Sequence, residues 1–106
     1  MMSLQKRFLK SKPVSKVTFR LPREAATNAT AVNLVGEFNS WDKSALPMTR
    51  LKNGEYKLTI DLPVGREYSF RYLISLPEGR IWENDWAADK YAPCSFTGVE
   101  NSVLVL

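Results

Sequence analysis

Histidine is absent from the chain, and cysteine occurs once, at Cys94. Without an imidazole there is no Ser-His or Cys-His nucleophile pair, and the side chain most used as a general base near neutral pH is missing. One thiol and no imidazole also leave zinc without its ordinary ligands. A lone cysteine cannot close an internal disulfide, which fits a reducing compartment. The five glycines do not fall in the spacing of a phosphate-binding loop. No apolar run approaches the roughly 20 residues of a membrane span. Lys6, Arg7, Lys10 and Lys12 interrupt the stretch where a signal peptide carries its apolar segment. These absences predict a cytoplasmic protein with no membrane partner. Glu83, Asn84, Asp85 and Asp89 form an acidic cluster, but they lack the spacing and central glycine of a calcium loop. A carboxylate pair for glycoside hydrolysis is formally available, yet a domain this small has little room for a deep cleft. No catalytic residue, cofactor or metal ligand is therefore assigned, and the chain is expected not to be an enzyme.

What is present is a chain of 106 residues, 44% apolar and 25% charged, enough for one domain with a core that needs no cross-links. The charge is uneven. Lys6, Arg7, Lys10, Lys12, Lys16, Arg20 and Arg23 all precede the first acid, Glu24. Against a net charge of +4, those seven cations leave −3 on the remainder. Residues 1–15 are read as a basic extension ended by Pro13, and residues 16–106 as the domain. The extension is either a solvated tail or an arm for anions, and Phe8 and Leu9 allow part of it to dock on the domain. A nucleic-acid partner for it is not expected.

Period-2 alternation dominates the rest. Val17, Phe19 and Leu21 face one way, as do Val32 and Leu34, then Tyr56, Leu58, Ile60 and Leu62, then Tyr68, Phe70, Tyr72 and Ile74. Residues 49–51, 80–83 and 101–106 complete the set. Asn53-Gly54 marks a hairpin, while 63–66 and 76–79 carry further turn residues. Residues 84–98 are read as a long irregular loop. About seven short strands with no sustained helical period predict an antiparallel β-sandwich.

One stretch organises the functional reading: Val32-Asn33-Leu34-Val35-Gly36-Glu37-Phe38-Asn39-Ser40-Trp41. It starts as a strand, breaks at Gly36 and ends in a polar turn carrying Trp41. Arg71 faces outward from the aromatic strand, Trp82 follows the next turn, and Asn101 opens the last strand. Two indoles, a forked cation and an amide suit a sugar, whose C–H face stacks on an indole while its hydroxyls take hydrogen bonds. Such shallow sites bind with a Kd of roughly 10 μM to 1 mM. The competing reading is that Trp41 and Trp82 are core residues, as tryptophans commonly are. Trp86 is read as a packing anchor for the long loop.

The stretch Val35-Gly36-Glu37-Phe38-Asn39-Ser40-Trp41 resembles the Gly-x-Phe-Asn-x-Trp signature of family-48 carbohydrate-binding modules. That family includes the glycogen-binding domain of the AMP-activated protein kinase β subunit and the N-terminal early-set domains of isoamylase and glycogen branching enzyme. The likeness continues through Tyr68-Ser69-Phe70-Arg71-Tyr72, Trp82-Glu83-Asn84-Asp85 and Asn101-Ser102-Val103, covering about residues 16–106. It implies an immunoglobulin-like β-sandwich that binds glycogen, maltooligosaccharides and cyclodextrins without catalysis. The ligand tryptophans would be Trp41 and Trp82, the basic residue Arg71 (lysine in the kinase domains) and the terminal-strand asparagine Asn101. Two features depart from the family. The turn before Trp82 is the longer Ser75-Leu76-Pro77-Glu78-Gly79, expected to displace Trp82 relative to Trp41, and Trp86 stands where proline is common. Many isoamylase-type modules have lost sugar binding and only pack against a catalytic barrel. No barrel follows in this sequence, so a stand-alone module is expected, one that brings a partner such as a glycogen-metabolising enzyme to α-glucan. The alternative is a protein-interaction module of the same fold that no longer binds sugar.

Overall fold

The computed structural model describes residues 4–93 and 100–106. Among them nine strands run in the order β1 (Leu4–Phe8), β2 (Val14–Leu21), β3 (Ala31–Gly36), β4 (Thr49–Arg50), β5 (Tyr56–Pro63), β6 (Glu67–Leu76), β7 (Gly79–Glu83), β8 (Lys90–Pro93) and β9 (Glu100–Val105). They build two antiparallel sheets, β1-β2-β5-β4 and β3-β6-β9-β8, with β7 also paired to β6. The molecule is the expected immunoglobulin-like all-β sandwich. Its helical content among the described residues is two short 3-10 turns, Arg23–Ala26 and Glu37–Asn39, and no helix there is long and apolar enough to cross a membrane.

The alternation read from the sequence sets the core. Val17, Phe19 and Leu21 from one sheet meet Val32, Leu34, Tyr68, Phe70, Tyr72 and Ile74 from the other. Phe19 and Phe70 pack edge to face across the gap with centroids 5.2 Å apart, and Phe70 does the same to Tyr72 at 5.8 Å. Each such ring, fully buried, contributes about 1.5–3 kcal/mol. The Asn53-Gly54 hairpin forms between β4 and β5, with Gly54 at φ +90.

Two elements differ from the sequence reading. The stretch read as a basic extension contains β1, which pairs with β2 from Leu4↔Phe19 to Phe8↔Ser15. Leu4 is buried in the core, and β2 already begins at Val14. Two cations disguise this strand: Arg7 lies outward opposite Lys16, and Lys6 lies on the inward face opposite Val17, where it reaches Asp89 and breaks the apolar alternation. The second is β8, inside the segment read as irregular; it pairs with β9, Tyr91 opposite Ser102. Cys94 lies outside the described residues.

Candidate functional site

The Trp41 turn is assembled by its neighbours in sequence. Gly36 is extended, so its need for glycine is steric: a Cβ there would lie 2.6 Å from the Ser69 carbonyl oxygen and 2.7 Å from the Phe70 Cβ. Phe38 turns inward onto Phe19, at 5.8 Å between centroids, and onto Tyr68 and Phe70. Asn39 locks the bend. Its Nδ2 donates to the Leu34 carbonyl and its Oδ1 accepts from the Gly36 N–H, both at 3.0 Å. Where β3 stops pairing with β6, the Glu37 carboxylate accepts the Ser69 N–H at 2.6 Å. Each of these side chains serves the fold. Trp41 is 38% exposed and sits at φ +59 after Ser40 at φ +55. Left-handed backbone is uncommon for a bulky residue. It is held here by the Trp41 N–H, which donates to the Gly36 carbonyl at 2.8 Å.

Trp82 and Arg71 share the outer face of the β3-β6 sheet. Directly opposed residues on paired strands lie on the same face. Trp82 opposes Leu73, and Val35 opposes Arg71, alternating with the core-facing Phe70, Tyr72 and Ile74. Leu73 and Val35 are buried, yet they are not part of the inter-sheet core, so the larger side chains on this face cover them. Trp82 itself is 42% exposed. Lys43, two residues past Trp41, places its Nζ 6.0 Å from the centroid of the Trp82 ring, which brings the Trp41 turn beside that indole. The long turn before Trp82 closes as a hairpin, with Leu76 opposite Gly79 and Leu73 opposite Trp82.

Arg71 occupies a seam. Along one edge of β6, pairing with β9 runs from Glu67 to Phe70 and pairing with β7 begins at Tyr72. Arg71 falls in the gap where the two partner strands part. An open depression of about 280 Å³ forms there, lined by Arg71, Trp82, Glu83, Asn84 and Glu100. The Arg71 Nε and Nη2 are buried and have no hydrogen-bond partner among the described residues. Leaving a buried donor unmade costs about 1–3 kcal/mol.

Of the four residues singled out by sequence, Arg71 and Trp82 line one depression, and Trp41 stands on the turn beside it. Asn101 lies on β9 two residues from Val103, on the same outward face, but is only 8% exposed. The sequence reading did not assign Lys43, Glu83, Asn84 or Glu100 to the site, although Glu83 and Asn84 lay in its acidic cluster and in the stretch that carries the family likeness. Their gathering was not legible, because a seam between strands is a product of pairing. Asn84 is a positioning residue: its Nδ2 donates to the Glu100 carbonyl at 2.9 Å, and its Oδ1 accepts from the Ser102 N–H and hydroxyl at 2.9 and 2.8 Å. The remaining acids of the cluster have structural partners. Asp85 accepts the Tyr72 hydroxyl at 2.7 Å, and Asp89 pairs with Lys6 at 2.6 Å. Among the described residues no set of three or more acids, cysteines or histidines is placed to hold a metal. Trp86 is not the packing anchor read from the sequence. At 56% it is the most exposed of the three indoles, because the anchoring is done by Asp85 next to it.

The profile of the carbohydrate-binding module 48 family (isoamylase N-terminal domain) matches residues 10–92. The chain belongs to this family. Within the module, 59 residues are 46% identical to a 1,4-alpha-glucan branching enzyme of Photobacterium profundum, covering 55% of this chain and 8% of that protein. A second branching enzyme, from Thermosynechococcus vestitus, is 42% identical over 59 residues, 55% of this chain and 7% of the relative. A third, from Aspergillus oryzae, is 50% identical over 38 residues, 36% and 6% respectively. The module thus aligns with less than a tenth of each of these curated relatives.

Proposed function

We propose that this module binds neutral α-1,4-glucan, glycogen included, on the outer face of the β3-β6 sheet, without catalysing a reaction, and holds a glycogen-metabolising partner or attached enzyme at the polymer. One observation carries the reading: an exposed indole, Trp82, and the guanidinium-bearing Arg71 line the same open depression. A sugar hydroxyl both donates and accepts. Arg71 supplies donors, the Glu83 and Glu100 carboxylates supply acceptors, and the indole takes the C–H face. Family membership and relatives named for 1,4-alpha-glucan branching support the same class of ligand. Trp41 and Trp82 would stack on successive sugars, while Arg71 and Asn101 would hydrogen-bond their hydroxyls.

Affinity electrophoresis in glycogen gels tests the proposal. Retardation of the wild type is expected, with loss of most of it in Trp82→Ala and Trp41→Ala. Arg71→Ala should weaken binding by about tenfold, the scale of one hydrogen bond to a charged group. Asn101→Ala should have the smallest effect, since Asn101 is the least accessible of the four. An unretarded wild type, or tryptophan variants retarded as strongly as it, would refute the assignment.

A further inference from the structure

We infer that Trp86 is a third glucan contact, one that engages only chains long enough to run past Trp82; this rests on the glucan reading above. Trp86 is 56% exposed. Exposure of a lone indole is unremarkable, but the backbone that carries this one is fixed from several sides. The Ala87 N–H donates to Asp85 Oδ1 at 2.8 Å, the Asp85 N–H to the Ser102 hydroxyl at 2.8 Å, and the Tyr72 hydroxyl to Asp85 Oδ2 at 2.7 Å. The Tyr91 hydroxyl closes the turn from outside, donating to the Asp85 carbonyl at 2.5 Å and accepting the Ala88 N–H at 3.3 Å. The backbone of this turn is therefore ordered before binding, and only the rotamers of the ring itself remain to be fixed when a ligand arrives.

Position supplies the rest. Asn84, two residues before Trp86, lines the Arg71 depression. Trp82 and Trp86 are four positions apart, so their Cα atoms lie within about 14 Å, the full reach of that much chain. A short oligosaccharide on Trp82 and Arg71 leaves Trp86 free, whereas a longer one that continues over Asn84 meets it. The added contact is the C–H face of a further sugar on the indole, with no bond made or broken.

Isothermal titration of the full 106-residue chain with maltotriose, maltoheptaose and glycogen separates the outcomes. Trp86→Ala should leave maltotriose affinity unchanged and weaken maltoheptaose and glycogen by about three- to tenfold. Trp86→Phe should restore part of that loss, and thermal melts should show all variants folded. Equal long-chain affinity in Trp86→Ala and wild type would overturn the third contact while leaving Trp82 and Arg71 in place. Equal losses for short and long chains would overturn the length selectivity. A wild type that binds none of the three ligands would overturn the glucan reading itself and this inference with it.

Discussion

Gly36 lies in extended backbone that any residue adopts, yet a methyl group at its Cα would collide with the Ser69 carbonyl and the Phe70 side chain. Those atoms belong to the central strand, and neither can yield without moving β6. Gly36→Ala is therefore expected to cost about 1–3 kcal/mol as overpacking, visible as a lowered melting temperature. The same shift would reorient the Trp41 turn, so retardation by glycogen should fall by more than the loss of folded protein explains. A variant with wild-type stability and binding would contradict the steric account. The sequence shows that a glycine interrupts a strand; it cannot show which backbone stands opposite.

The hairpin β6-β7, the 84–89 turn and β9 are joined through Tyr72 and Asp85. Burial, and then the charge and hydrogen bond of Asp85, push the Tyr72 hydroxyl well above its ordinary value of 10.0. A phenol whose folded value is raised holds its proton better in the fold than in the unfolded chain. Its stabilising effect is complete below about pH 10 and is lost as pH climbs through the raised folded value. Tyr72→Phe removes the donor to a buried carboxylate and should cost about 1–3 kcal/mol at pH 7. Above pH 10 the wild type should lose stability faster than the variant, so that their melting temperatures converge. Melts between pH 7 and 11 check this, and a gap that stayed constant would exclude Tyr72 as the titrating group. The identity of Tyr72 as an inward residue was legible from alternation. Its bond to an acid 13 residues away was not, because only the meeting of β6 with the 84–89 turn brings the two together.

For the molecule as a whole, the basic N-terminal stretch is partly a structural strand. Leu4 is buried at 5% exposure, and Lys6 bridges to Asp89 on the opposite sheet's edge. Leu4→Ala should destabilise the module by about 2–4 kcal/mol, and removing residues 1–9 should lower the melting temperature. A truncated chain that melts like the wild type would show that β1 is dispensable. The Lys6–Asp89 pair alone contributes little, because partly exposed ion pairs are screened by water.

The order of residues by itself determined the class of fold, the inward faces of the long strands and the family signature around Trp41. All three depend on local periodicity or on short spacings, and a chain carries those without being folded. Only the tertiary structure decided that Trp41, Trp82 and Trp86 stand exposed, that a charged leader contributes an edge strand with Leu4 in the core, and that Arg71 lies at a gap where β7 and β9 separate. Each of those depends on which backbone comes to lie beside which. Strand pairing between residues tens of positions apart settles that, and no period in the sequence encodes it.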